Sequence, residues 1–183
     1  VLDQGYTSNA NDFTPIVLAV KKSGADIVGT YMTVPADQAI FAKQLRQLGV
    51  NIAWVGSPTT VAVTTRNLAG EALYGSYAVA DFNADANDAA RSFTKKYFER
   101  YKIYPDNFAS WAYDSLNILA TAMNNAKSTE PEAVRKSILA LKGYKGLEGT
   151  YAFDERGDGL HGYNVVKNDK GNVVFVKRVD FPE

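Results

Sequence analysis

The densest group of residues that could carry chemistry lies at positions 151–159, where the sequence reads YAFDERGDG. Asp154, Glu155 and Asp158 place three carboxylates within five residues, as a calcium loop or a pair of catalytic acids would. A calcium loop needs oxygen ligands at alternating positions, a glycine sixth and a glutamate twelfth, and this stretch does not have that spacing. Neighbouring carboxylates beside Arg156 and two glycines are typical of a solvated tight turn. We therefore predict a turn here rather than a metal or catalytic site.

Other residues that could carry a reaction are few. His161 is the only histidine, and no serine lies in a G-x-S-x-G elbow, so we expect His161 on the surface or in a turn. The chain has no cysteine, which excludes a thiol nucleophile, a disulfide framework and a zinc knuckle. The glycines form neither a dinucleotide fingerprint nor a phosphate-binding loop. We predict no cofactor and no enzymatic activity.

Composition narrows the class of partner. The 183 residues are 46% hydrophobic and 22% charged, with 20 basic and 20 acidic side chains, as in an ordinary soluble globular protein. No basic excess favours nucleic acid, and no apolar run reaches the roughly 20 residues that cross a bilayer. The length suits one domain or two small lobes. Because the chain starts at Val1 with neither an initiator methionine nor a signal peptide, we expect a fragment or a processed piece of a longer protein.

The first half alternates helical and strand patterns. Apolar spacing of three and four residues predicts helices, and short apolar runs between them predict strands. The predicted order is a helix from Asp12 to Gly24, a strand at 25–31, a helix from Pro35 to Gly49, a strand at 51–56, a helix at 61–68 and a strand at 74–82. This alternation predicts a parallel sheet with helices on its faces, an open α/β lobe.

After Phe82 the pattern changes to three consecutive helices. Aromatic residues stripe the first, and Ala112, Leu116, Leu119 and Met123 stripe the second. For the third, a capping box of Thr129 with Glu132 predicts the start and Gly143 the end. Strands at 163–166 and 172–179 then flank a hairpin loop at 168–171. We found no repeat or linker in the sequence.

Two loops are candidates for binding a small ligand. In a parallel α/β lobe, ligands gather beyond the carboxyl ends of the strands. The loops at those ends carry hydroxyl groups and an aromatic ring; their residues are Tyr31, Met32 and Thr33 in the first and Ser57, Pro58 and Thr59 in the second. Such groups hold a small molecule by hydrogen bonds and stacking. The alternative is that the hydroxyls cap the helices that follow.

The order of these elements, with several short motifs, resembles a known family. GADIV at 24–28, AGEA at 69–72, AYDS at 112–115 and GTYAFD at 149–154 followed by GD at 157–158 are similar in order and spacing to type I periplasmic substrate-binding proteins of ABC transporters. The nearest branch resembles the leucine/isoleucine/valine-binding group. The resemblance extends over nearly all of the 183 residues.

The resemblance implies a fold class and a domain division. The fold is expected to be α/β, of the periplasmic-binding-protein type I, with two Rossmann-like lobes that close about a hinge like a Venus flytrap. Residues 1–81 and 161–183 are expected to form the carboxyl-side ligand-binding lobe. Residues 82–160 are expected to supply the helical part of the amino-side lobe with a crossover strand, and residues 151–159 lie near the hinge. Most of the amino-side lobe is expected to be missing, which would leave apolar helix faces uncovered.

The resemblance also implies a function. The chain is expected to belong to the extracytoplasmic solute-binding component of an ABC importer, periplasmic or extracellular, with the transporter permease, a small organic solute and the missing amino-terminal segment as partners. The ligand-facing residues are expected to be the six loop residues named above. Where amino-acid binders of this branch place a carboxylate for the ligand's ammonium group, this sequence has Ser57 and Pro58, and a buried ammonium without a counter-charge is costly. Both an amino acid and an uncharged, hydroxylated or aromatic carboxylate ligand therefore stay open. A ligand-sensing domain of a receptor or regulator is an alternative, and an α/β enzyme is a more distant one.

Overall fold

The computed structural model describes residues 1–159 and 162–180, and these residues divide between two compact units. The first unit comprises Val1–Ala80 with Val165–Lys177, and the second comprises Asp81–Asn164 with Arg178–Glu183. The expectation for His161 lies outside the described residues. The helices are α1 (Thr14–Ser23), α2 (Pro35–Gln47), α3 (Val63–Ala69), α4 (Asp88–Tyr101), α5 (Asn107–Ala126) and α6 (Pro131–Ala140). The strands are β1 (Ile27–Thr30), β2 (Ala53–Gly56), β3 (Tyr77–Ala80), β4 (Lys142–Lys145), β5 (Thr150–Ala152), β6 (Gly162–Asp169) and β7 (Asn172–Asp180).

The first unit is built on a five-stranded sheet with the strand order β1-β2-β3-β6-β7. β1, β2 and β3 are parallel, and Ile27 of β1 is in register with Ala53 of β2. The predicted parallel α/β lobe is therefore confirmed. β6 starts in the second unit and continues into the first, and β7 returns to the second. The turn between β6 and β7 holds Lys170 and Gly171, both with positive φ, which matches a tight hairpin turn.

Local interactions set the ends of the elements in the first unit. The helix α1 starts at Thr14, so Phe13 rather than Asp12 is at the N-cap position, and the Asp12 carboxylate accepts a hydrogen bond from the Thr14 backbone nitrogen at 2.9 Å. Gly24, with φ of 68°, ends this helix as predicted. A short 3-10 helix (Pro58–Val61) precedes α3, so the predicted helix at 61–68 begins later than expected.

Aromatic rings form the centre of the first unit's core. Phe41 packs edge-to-face against Phe13, with ring centroids 5.9 Å apart, and against Trp54, at 5.7 Å. Val17 on α1 and Leu45 on α2 are fully buried in the same cluster. The rings and aliphatic chains hold the two helices against β2.

In the second unit, helices pack with a small antiparallel sheet of β4 and β5. β4 was not predicted, because Gly143 was interpreted as the end of the preceding helix. The helix α6 instead ends at Ala140, and Gly143, with φ of 70°, lies at an irregularity of the β4–β5 pairing. Among the described residues, none of the helices is both long and apolar enough to cross a membrane.

A further prediction for the second unit, the capping box of α6, is wrong. Glu130 is the N-cap of α6, and Glu132 forms hydrogen bonds with Arg135 at 2.8 and 2.9 Å instead of completing a capping box. The apolar stripe predicted for α5 includes the exposed Leu116 and Leu119, as an uncovered helix face would. The side chains that α5 buries are Asn107, Ser110, Asp114, Ile118 and Ala122.

Candidate functional site

The six predicted ligand-binding residues lie in two adjacent loops of the first unit. Tyr31, Met32 and Thr33 follow β1, whereas Ser57, Pro58 and Thr59 follow β2. The two strands are hydrogen-bonded neighbours and run parallel, so both loops lie at the same edge of the sheet. This edge also holds the first residues of α2 and of the 3-10 helix.

Ser57 ties the two loops together. Its backbone nitrogen donates to the Thr30 carbonyl oxygen, and its hydroxyl donates to the Met32 carbonyl oxygen, both at 3.0 Å. Ser57 immediately precedes the 3-10 helix, but its side chain makes no capping hydrogen bond. The hydroxyl therefore holds the first loop in place rather than capping the element that follows.

The six residues differ in what they present to solvent. Tyr31 is 83% exposed, and Thr33 is also exposed. Pro58 is half-buried, while Met32, Ser57 and Thr59 are buried. The accessible chemistry of the two loops in this unit is therefore a phenol, a hydroxyl and backbone groups, which form hydrogen bonds and stacking contacts.

A buried network that the sequence analysis missed supports the first loop. The Thr30 hydroxyl oxygen accepts a hydrogen bond from Trp54 Nε1 at 2.9 Å and from Gln38 Nε2 at 3.3 Å. Trp54 and Gln38 are fully buried, so each donor would lose a partner without Thr30. No motif marks these residues, because the partners lie 24 and 8 positions from Thr30.

A small cavity of about 150 Å³ lies beside β1, and Tyr6, Tyr31, Met32 and Phe41 are among its lining residues. Pockets for drug-sized ligands span roughly 300–1,000 Å³, so this cavity alone would hold only a fragment of a solute. Burial and the neighbouring Asp37 carboxylate raise the pKa of Tyr6. Asp37 is itself buried and accepts a hydrogen bond from the Asn9 backbone nitrogen at 2.8 Å.

The acidic stretch at 151–159 forms a turn in the second unit. The Asp154 carboxylate accepts hydrogen bonds from the backbone nitrogens of Arg156 and Asp158, each at 2.9 Å. The Gly157 backbone nitrogen donates to the Asp154 carbonyl oxygen at 3.1 Å. Within the ranges 1–159 and 162–180, no three acidic or histidine side chains are placed to hold a metal ion. The predicted turn is confirmed.

The first unit is an α/β lobe, and its two candidate loops lie at the carboxyl ends of parallel strands. A family model described as "Periplasmic binding protein" matches residues 1–172. The chain belongs to this family, which confirms the family resemblance found in the sequence. The family is one of binding proteins, so the prediction that the chain is not an enzyme is confirmed at that level.

Several known proteins are similar to the chain. The Leu/Ile/Val-binding protein homolog 1 of Brucella abortus is 24% identical over 172 residues, covering 93% of this chain and 46% of the relative. The crystal structure of the leucine-binding protein LivK from Thermotoga maritima has a TM-score of 0.88 and 23% identity, covering 96% of this chain and 50% of its own. An ABC transporter solute-binding protein from R. palustris, in complex with benzoate, has a TM-score of 0.82 and 16% identity, covering 96% of this chain and 49% of its own.

These similarities establish the fold as that of a type I periplasmic binding protein, the predicted fold class. The chain spans about half the length of the curated relatives that it matches. The part that it spans contains the five-stranded sheet, in which β1, β2 and β3 are parallel, and the two-stranded sheet of β4 and β5.

Proposed function

We propose that the chain belongs to the extracytoplasmic solute-binding component of an ABC importer, which captures a small organic ligand between two lobes. The observation that carries the proposal is the family match over residues 1–172. The similar proteins include one named for binding leucine and one in complex with benzoate. Leucine and benzoate are both small organic carboxylates. Solute capture requires a cleft rather than a reaction, which fits the absence of a catalytic motif from the sequence.

In this proposal the first unit is the carboxyl-side lobe, and the second is part of the amino-side lobe. Tyr31, Met32, Thr33, Ser57, Pro58 and Thr59 form the carboxyl-side wall of the ligand site. Tyr31 and Thr33 supply exposed side chains, and the buried Ser57 holds the loop by its bond to Met32. The wall is then rigid at its base and accessible at its tip, which suits rapid capture with little ordering cost.

The ligand class follows from the polar groups of this wall. Neither loop carries an acidic residue, and Asp37, the next acid along the chain, is buried against Tyr6 and Asn9. An ammonium group therefore has no counter-charge here, whereas hydroxyl groups and backbone N–H groups suit a carboxylate. We propose a small carboxylate as the solute, either an amino acid whose ammonium is met elsewhere or an aromatic carboxylate.

The second unit supports the proposal that a further segment completes the protein. Leu116 is 67% exposed and Phe108 is 50% exposed on α5, and Trp111 and Leu119 are partly exposed on the same helix. An open groove of about 670 Å³ adjoins this helix and is lined by Phe93, Tyr97, Tyr113 and Tyr144, among other residues. Contiguous apolar surface of this kind marks an interaction site. We propose that the remainder of the amino-side lobe, as an amino-terminal segment, covers it.

Titration calorimetry of the purified protein tests the ligand proposal. Leucine, benzoate and isoamylamine, which is leucine without its carboxylate, serve as probes. We expect a carboxylate probe to bind and the amine not to bind. Thr33→Val should weaken binding roughly tenfold because one hydrogen bond is lost, whereas the control Thr64→Val on the exposed face of α3 should leave affinity unchanged. Tighter binding of the amine than of both carboxylates would reject this ligand class.

We also propose that the protein is exported and acts with a transporter permease outside the cytoplasm. The family is named for periplasmic proteins, and the named benzoate-bound relative is described as part of an ABC transporter. Fractionation of the native host tests this proposal. Recovery with cytoplasmic marker proteins would favour a sensor or regulator instead.

A further inference from the structure

A cluster of buried polar side chains in the second unit takes no part in the proposed function. Glu148 is only 4% exposed, and Ser110, Asp114 and Tyr151 are buried around it. The Glu148 carboxyl contacts the Ser110 hydroxyl at 2.7 Å through Oε1 and the Tyr151 hydroxyl at 2.8 Å through Oε2. These groups come from α5, β5 and the loop between β4 and β5.

The cluster contains more oxygen contacts than hydroxyl protons. The Ser110 hydroxyl also contacts the Asn107 carbonyl oxygen at 2.9 Å, and the Tyr151 hydroxyl also contacts Asp114 Oδ2 at 3.2 Å. Four oxygen–oxygen contacts therefore share the two hydroxyl protons of Ser110 and Tyr151. With Glu148 ionised, two of the contacts would lack a proton, and each would place two acceptors against each other in a buried site.

One additional proton resolves most of this shortage. If the Glu148 carboxyl is protonated at Oε1, it donates to Ser110, and Ser110 donates to the Asn107 carbonyl oxygen. Tyr151 then donates to Glu148 Oε2, and only the Tyr151–Asp114 contact lacks a proton. That contact is the longest of the four, at 3.2 Å. Asp114 is satisfied without it, because its carboxylate accepts from the Leu147 backbone nitrogen at 2.8 Å and from that of Glu148 at 3.2 Å.

The charged and titratable groups around Glu148 also favour the protonated form. Asp81, Asp114 and Tyr151 face it from the end of β3, from α5 and from β5, and the two aspartates oppose a further negative charge. Arg178 on β7 does not neutralise the carboxyl, since its Nη1 donates to the Glu148 backbone carbonyl oxygen at 2.9 Å. Burial is the largest cause that raises the pKa of Glu148 to about 7.

We infer that the Glu148 carboxyl holds a proton at mildly acidic pH, donates it in a hydrogen bond to Ser110, and thereby makes the packing of the loop between β4 and β5 against α5 sensitive to pH. When the pH rises, the proton leaves to solvent and the carboxylate stays buried between two aspartates. The contact of Glu148 with Ser110 then competes with the Ser110–Asn107 contact for one proton. The inference is independent of the ligand proposed above.

The direction of the pH effect follows from the two states of the chain. In the unfolded chain Glu148 titrates near its ordinary pKa of 4.5, and in the folded chain it titrates near about 7. The folded chain therefore binds more protons between these values, and its stability falls as the pH rises through that window. One such group raises the unfolding equilibrium constant about tenfold per pH unit inside the window.

Infrared spectroscopy of the full chain with ¹³C-labelled glutamate tests the proton directly. We expect a band of a protonated, buried glutamic acid at pH 6, which disappears above the window and is absent from Glu148→Gln. The control Glu155→Gln removes an exposed glutamate and should retain the band. Absence of the band from the unmodified chain at pH 6 would overturn the inference, whether or not the variants fold.

Denaturant unfolding at several pH values provides the second readout. The unmodified chain and Glu155→Gln should lose stability between about pH 5 and 7, while Glu148→Gln should lack this Glu148-dependent loss because an amide does not titrate. Equal pH slopes for the unmodified chain and Glu148→Gln would overturn the inference.

Discussion

At the scale of single residues, Gly56 shows how closely the segment that follows β2 is packed. Gly56 ends β2, and a Cβ atom added to it would overlap the Thr60 hydroxyl and lie 2.8 Å from Thr60 Cβ. Thr60 is fully buried, so it has no free space into which to move. The absence of a side chain at Gly56 is therefore a packing requirement of the loop that follows.

Gly56→Ala should lower the free energy of unfolding by about 1–3 kcal/mol through this overlap. Gly29→Ala is a matched control, because Gly29 lies in the neighbouring strand β1 and an added Cβ there meets no atom within 4 Å. Denaturant unfolding of the three chains measures the difference. An equal loss in both variants would point to a general effect of strand glycines rather than to the Thr60 contact.

Thr30 is important because its hydroxyl accepts hydrogen bonds from two buried side chains. Thr30→Val keeps the shape of the side chain but leaves Trp54 Nε1 and Gln38 Nε2 without their acceptor. We expect a loss of about 1–3 kcal/mol in the free energy of unfolding because buried donors are left unpaired. Thr33→Val, at an exposed position three residues away, should be close to neutral in the absence of ligand. A neutral Thr30→Val would mean that water replaces the hydroxyl.

At the scale of elements, the starts of α5 and α6 differ in whether a side chain caps the helix. The Asp106 carboxylate accepts hydrogen bonds from the backbone nitrogens of Phe108 and Ala109 at 3.1 and 3.4 Å, at the start of α5. Asp106→Ala should cost about 1 kcal/mol in the free energy of unfolding. Thr129→Ala, which removes the predicted cap of α6, should change stability much less, since Glu132 bonds to Arg135 instead. Thermal unfolding of both variants at one pH measures the difference. A larger loss of stability for Thr129→Ala than for Asp106→Ala would support the predicted capping box.

The order of helices and strands could be predicted from the sequence because apolar spacing is a local property. Pro35 and Gly24 mark helix ends through their own backbone preferences, and the structure has both helix ends there. Gly143 was misinterpreted because a glycine with positive φ suits a strand irregularity as well as a helix end. The pairing of β4 with β5 decides between them, and pairing is a non-local property.

The candidate site could be predicted only in part for the same reason. That Tyr31 and Ser57 lie in neighbouring loops follows from the alternation of strands and helices. The hydrogen bond from the Ser57 hydroxyl to the Met32 carbonyl oxygen joins residues 25 positions apart. The hydrogen bond from the Leu147 backbone nitrogen to Asp114 joins residues 33 positions apart. Neither contact can be predicted from local patterns. The burial of Ser110 and Asp114 of α5 also depends on a distant segment, the loop between β4 and β5, which no local pattern in the helix indicates.

At the scale of the whole molecule, the exposed apolar face of α5 makes a prediction for the isolated chain. A fluorescent dye that binds apolar surface should bind the chain, and Leu116→Gln with Leu119→Gln should reduce its binding roughly twofold. Leu18→Gln with Leu68→Gln is a matched control, because these exposed leucines lie on different helices of the first unit. Equal effects of the two pairs would argue against a distinct apolar face on α5.

The passage of the chain between the units has a consequence for the gene. The backbone goes from one unit to the other after Ala80, after Asn164 and after Lys177, so neither unit is encoded by one uninterrupted stretch. A recombination event that exchanged only residues 1–80 would separate β3 from β6, its neighbour in the sheet. Exchanges between related genes are therefore expected to preserve both parts of the first unit together, and a library of single-crossover chimaeras should yield few folded members with crossovers between Ala80 and Val165.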